Sequence, residues 1–89
     1  MGNTVTPAHE ARIIDLITPA FRSIFADDGL VISRALNARM VPNWDSLNHI
    51  ALVVGLEQIT GTQFTTDELA TMPDVGALID CLASKGVAS

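Results

Sequence analysis

The chain has 89 residues, of which 48% are hydrophobic, and a net charge of −5. A chain of this length folds as one small domain around one modest core, without room for an enclosed catalytic chamber. Ten acidic side chains against five basic ones disfavour binding to nucleic acid or to an anionic membrane surface, both of which need a positive face.

Thr6-Pro7 opens the first helix, with a hydroxyl N-cap and proline at the first helical position. Ile13, Leu16, Ile17, Phe21, Ile24 and Phe25 recur at helical spacing. Pro19 removes one intrahelical hydrogen bond and predicts a kink near 15–18, but the apolar stripe stays in phase beyond it. One kinked helix over roughly 7–25 follows, stopped by Asp27-Asp28-Gly29. Residues 26–44 form a long connection with apolar anchors at Leu30, Val31, Ile32 and Leu36, a helical turn expected near 34–38, and a turn at Pro42-Asn43.

Asp45 or Ser46 starts the second helix and Gly61 stops it. Thr65-Thr66-Asp67-Glu68 reads as a capping box that opens a short third helix ending before Pro73. Asp74 caps the fourth helix, which carries Val75, Leu78, Ile79 and Leu82 on one face and ends at Gly86. No segment shows sustained strand alternation. The expected fold is all-α: a small four-helix bundle with a long first loop and a short third helix. It is read as one domain over 1–89, with its core at about 7–84 and flexible ends.

The second helix has two apolar stripes. At about 100° per residue, Leu52, Val53, Leu56 and Ile59 fall on one side, and Leu47, Ile50, Ala51 and Val54 on another. One stripe is core; the other meets either a further helix of the bundle or a partner. Gly55 would permit close packing. The charge is also uneven. Residues 1–40 balance to zero, whereas 41–89 hold Lys85 against six acids and carry the whole net charge, a distribution that serves solubility or steers a basic partner.

Trp44-Asp45-Ser46-Leu47 puts a serine hydroxyl on the first turn of a helix, where unpaired N–H groups and a partial positive charge favour an attached phosphate. Taken alone, Asp45 or Ser46 reads as a simple N-cap. Asp45-Ser46-Leu47 followed by Ile50, Leu52, Val53, Leu56 and Glu57 resembles the acyl carrier protein family. The long loop, the capped third helix and the Val75-Gly76-Ala77-Leu78-Ile79 helix resemble it too, over about residues 7–84. The resemblance implies that Ser46 takes a covalent 4′-phosphopantetheine from coenzyme A through a phosphodiester, and that acyl groups travel as thioesters on that arm. It implies a carrier rather than an enzyme. Its partners would be a phosphopantetheinyl transferase and the acyl-loading and acyl-transferring enzymes of fatty-acid, polyketide or specialised acyl metabolism. Leu52, Val53 and Leu56 then match the core side. Asp45, Leu47, Ile50, Ala51, Val54 and Glu57 match the partner-facing side. Asn48, Ala51 and Gln58 stand where many carriers of fatty-acid synthesis have acids, which points to a specialised stand-alone carrier.

Other readings are weaker. Asp45, Ser46 and His49 lack the rigid frame, oxyanion hole and pocket of a hydrolytic triad, and His49 is expected to pack on the core side. His9, His49 and the scattered acids do not have metal-ligand spacing. Trp44 is expected to shield the loop–helix junction or to face partners, with burial favoured, and Cys81 to be a buried structural thiol. A single cysteine excludes an internal disulfide. No signal peptide or membrane span is visible, so a cytoplasmic monomer is expected. A peptidyl or aminoacyl carrier would share the fold and the serine, although such carriers more often place glycine where Asp45 stands. An unmodified helical adaptor would use the same exposed stripe.

Overall fold

A computed structural model describes residues 6–70 and 74–88, with the side chains of Leu69 and Ala70 left aside. Four helices follow one another: α1 (Pro7–Ile24), α2 (Ser46–Thr60), α3 (Thr66–Ala70) and α4 (Val75–Ser84), and no strand occurs among the described residues. The expected stop of the third helix at Pro73 lies outside them. Helix α1 is the centre of the packing and lies against both α2 and α4. Its fully buried Ile13, Ile17 and Phe21 meet Leu52 and Leu56 of α2 and Ile79 and Leu82 of α4 in one hydrophobic core.

The ends of the helices follow from their sequences. The Thr6 hydroxyl accepts the His9 N–H at 3.1 Å, Asp45 accepts the Asn48 N–H at 2.8 Å, and Asp74 accepts the Ala77 N–H at 2.9 Å. At α3 the Thr65 N–H donates to Glu68 while the Glu68 N–H donates to Thr65, which completes the capping box. Gly61 ends α2 in the left-handed region at φ 70°. Helix α4 ends in a Schellman turn: Gly86 has φ 84°, the Gly86 N–H donates to Ala83 and the Val87 N–H to Leu82. Helix α1 closes with the same pair of bonds, Ala26 to Ser23 and Asp27 to Arg22, but its left-handed residue is Ala26, at φ 51°.

Helix α1 runs through Pro19 as one element, as the in-phase apolar stripe predicts; Pro19 and Asp15 are both exposed, so the carbonyl that loses its donor lies on the solvent side. Two other details differ from the sequence reading. The helical turn expected near 34–38 is replaced by two separate turns, closed by the Leu36 N–H to Ser33 and the Met40 N–H to Asn37. The packed region continues past 84. Val87 is buried, and the carbonyls of Val87 and Ala88 accept from the side chains of His9 and Arg12 on α1.

The long loop is tied down at both ends of its path. Leu30, Ile32, Leu36 and Val41 enter the core or pack against it. The first two N–H groups of α4, Val75 and Gly76, donate to the loop carbonyls of Leu36 and Arg34 at 2.8 and 2.9 Å. These are helix-terminal donors with no partner inside their own helix. A Cβ on Gly76 would lie 3.2 Å from the Arg34 carbonyl oxygen, so the close approach favours glycine, and a larger residue would push the loop back by a few tenths of an ångström. The Arg34 guanidinium then spans Glu10 of α1 and Asp80 of α4, each at 2.8 Å. These two carboxylates raise its pKa, so it stays cationic.

Candidate functional site

The long loop delivers the chain to the head of α2, where a set of local bonds fixes Ser46. The Trp44 N–H donates to Val41 and the Asp45 N–H to Asn43. Asn48 is used twice: its N–H caps onto Asp45, and its Nδ2–H donates to the Asn43 carbonyl at 2.7 Å. Trp44 turns inward from this frame. Its ring meets Phe21 edge-on at 5.6 Å and Phe25 at 5.5 Å, the His49 ring lies within 21° of parallel to it with centroids 6.1 Å apart, and its Nε1–H donates to His49 Nδ1 at 3.1 Å. That bond puts the proton of a neutral His49 on Nε2.

Ser46 stays outside this network. It is exposed at the first position of a 15-residue helix, and its hydroxyl makes no hydrogen bond among the described residues. The N–H groups of Ser46 and Leu47 likewise have no partner there, so the helix end offers donors and positive potential to an anion carried on the serine. His49 and Asp45 are each engaged elsewhere, with Trp44 and Asn48 respectively, so the two do not assemble with Ser46 into a triad. No cluster of metal-binding side chains occurs among the described residues.

Beside Ser46 runs an apolar strip. Leu47 is 76% exposed, Ile50 56% and Val54 47%, while Leu52, Val53 and Leu56 of the same helix are buried; Ala51 is exposed as well. Apolar residues therefore occupy nearly all sides of α2. Ile59, assigned to the core side by its angular position, is 42% exposed, because it lies in the last turn of the helix. Gly55 approaches nothing, and a Cβ there would meet open space. Glu57, expected on the partner-facing side, is half-buried, and its carboxylate accepts the Phe64 N–H at 2.9 Å. Trp44 and His49 are half-buried, in line with the packing roles expected of them. Cys81 is also only half-buried. Its thiol donates to Glu68 at 3.6 Å, and burial, then the Glu68 charge, pushes its pKa up, away from thiolate reactivity.

No known family profile matches the sequence, and no curated protein matches it. Among solved structures, the solution structure of a holo acyl carrier protein from Geobacter metallireducens superposes with a TM-score of 0.76. It shares 39% sequence identity over 81% of this chain and 83% of its own. The chain belongs to the acyl carrier protein family. As a family member the carrier has the all-helical fold expected from its sequence, and no helix among its described residues is long and apolar enough to cross a membrane.

Proposed function

We propose that this carrier holds acyl groups on a 4′-phosphopantetheine arm attached to Ser46. The observation that supports this most directly is an exposed serine hydroxyl, free of hydrogen bonds among the described residues, at the head of α2 in a chain of the acyl carrier family. Modification joins the serine oxygen to the pantetheine-bearing phosphorus of coenzyme A and breaks the phosphoanhydride; adenosine 3′,5′-bisphosphate leaves, and the hydroxyl proton passes to a base of the transferase. The residues at the site fit the group. The first-turn N–H groups of Ser46 and Leu47 face an anion favourably, and Asp45 and Asn48 hold the turn rigid. When bound, the arm supplies a terminal thiol that takes acyl cargo as a thioester. The carrier itself contributes position and high local concentration of cargo rather than bond-making.

Leu47, Ile50, Ala51 and Val54, with Asp45 at their head, are the surface on which the transferase and the acyl-loading enzymes dock. This surface is poor in charge. Asp45 and Glu57, the acids nearest the stripe, both have carboxylates committed to backbone N–H groups. That supports a specialised carrier whose partners use apolar contact more than arginine-rich grooves. A monomer working in the reducing cytoplasm fits a chain with one cysteine and a net charge of −5. Intact-mass measurement after incubation with coenzyme A and a phosphopantetheinyl transferase tests the assignment. The wild type gains one phosphopantetheine. Ser46→Ala gains none and stays folded within about 0.5 kcal/mol, because Asp45 rather than Ser46 is the cap. A Ser46→Ala protein that still gains the group would remove Ser46 from this role.

A further inference from the structure

The turn that presents Ser46 has a single anchor. Of residues 42–47, all are exposed except Trp44, which is half-buried. Its ring reaches the uncharged Phe21 and Phe25 of α1, and its Nε1–H donates to His49 Nδ1 at 3.1 Å. An indole N–H can only donate, so this bond exists only while Nδ1 carries no proton. A proton there sets N–H against N–H and breaks the lock. The other histidine is built the opposite way. His9 Nε2 lies 2.8 Å from the Val87 carbonyl, an acceptor that the neutral and the charged ring both satisfy. Histidine changes charge between about pH 5 and 8, so of the two histidines His49 alone holds a contact that its own protonation removes. Two carboxylates face this region: Asp45 at the head of α2, and Asp74 at the head of α4, which borders the same small apolar gap as Trp44 and His49. They accept the Asn48 and Ala77 N–H groups, and neither pairs with the His49 ring among the described residues. No cation lines the gap.

We infer that His49 is a positioning residue for the modification of Ser46: its neutral ring holds Trp44, Trp44 holds the turn that presents the serine, and acid releases both. The inference rests on the carrier reading above, and its test has two arms. The first uses the unmodified protein. Trp44 is the single tryptophan, so one indole N–H resonance reports the lock directly. It should move in a single step between about pH 8 and pH 5. The step should persist in His9→Gln and vanish in His49→Asn, whose Oδ1 replaces the Nδ1 acceptor and does not titrate. An indole resonance that stays fixed in the wild type, or that titrates equally in His49→Asn, overturns the inference without need of any transferase. The second arm places wild type and His49→Asn in one mixture with coenzyme A and a phosphopantetheinyl transferase, and reads both by intact mass. The pH dependence of the transferase cancels from their ratio of kcat/KM. Between pH 8 and pH 5.5 that ratio should fall by about 2–10-fold, the range that one hydrogen bond supports. A ratio independent of pH overturns the positioning role. Failure of both proteins to gain the group at pH 8 strikes the carrier reading itself, a different result from either of these.

Discussion

The two faces of α2 are separated most sharply by placing one charge on each. Leu56 is 0% exposed and Val54 is 47% exposed, two residues apart on the same helix. Leu56→Asp deletes a fully buried side chain, a loss of about 2–5 kcal/mol by comparison with large-to-small changes. It also leaves a carboxylate without a partner in an apolar core, which costs several kcal/mol more. At about 0.05–0.15 kcal/mol per residue, a domain of 89 residues has roughly 4–13 kcal/mol in total, so Leu56→Asp should not fold. Val54→Asp forfeits about half of the ~1.5–3 kcal/mol available from full burial, close to 1 kcal/mol, and its carboxylate stays in water. Urea titration followed by emission from Trp44, the single tryptophan, measures both. The folded Val54→Asp protein should also accept phosphopantetheine more slowly than the wild type. If Val54→Asp proves as destabilising as Leu56→Asp, the exposed strip is core and the docking surface lies elsewhere.

Glu68 is held below its ordinary pKa of 4.5 by the Thr65 N–H and then by Lys85. Its contribution is therefore complete above that pH and is lost as the pH falls through the lowered value. Glu68→Gln keeps the capping geometry, so its melting temperature between about pH 7 and pH 3 should fall less steeply at the acid end than that of the wild type. Ala26 sits in the left-handed region at φ 51°; Ala26→Gly should raise stability in urea by about 0.5–1 kcal/mol, strain relief outweighing the freer unfolded chain. Ala51→Glu with Gln58→Glu, both at exposed positions, should speed modification by a transferase with an arginine-rich docking groove at low salt. The gain should disappear as added salt shortens the ~8–10 Å screening length; no effect at either ionic strength would separate charge on α2 from partner choice. Asn48 is left unchanged in that variant because aspartate could not donate to the Asn43 carbonyl.

Helix starts were the most legible part of the sequence, because a cap needs only local residues: Thr6, Asp45, Thr65 with Glu68, and Asp74 all serve where their side chains predict. Helix periodicity likewise separated the two apolar stripes of α2, of which the one with Leu52, Val53 and Leu56 is buried, apart from Ile59 in the last turn. The loop was less legible. Nothing local to Arg34 or Leu36 announces that their carbonyls receive the first N–H groups of a helix some 40 residues later, and Gly76 carries that information only through the space around it. At the candidate site, residue type and spacing yield a first-turn serine and two apolar stripes, while the role expected of Ser46 and the outward side of the helix come only with the family resemblance. The Trp44–His49 lock and the commitment of Glu57 to Phe64 could not, since hydrophobic periodicity does not say where a polar atom on a half-buried side chain finds its partner. In the sequence Asn48 reads only as a missing acid, yet its amide donates to the Asn43 carbonyl, which a carboxylate cannot do.

The seating of α4 on the long loop changes how amide exchange in this protein should be understood. Amides in the first turn of a helix ordinarily exchange with water quickly, because no carbonyl of their own helix covers them. The Val75 and Gly76 amides are covered by the loop instead, so their deuterium uptake measures the lifetime of the loop's attachment rather than fraying of α4. Uptake at the global unfolding rate would mean that residues 26–44 belong to the same cooperative unit as the helices. Faster uptake, with the amides of Leu78 and Ile79 still protected, would mark the loop as a unit that detaches first.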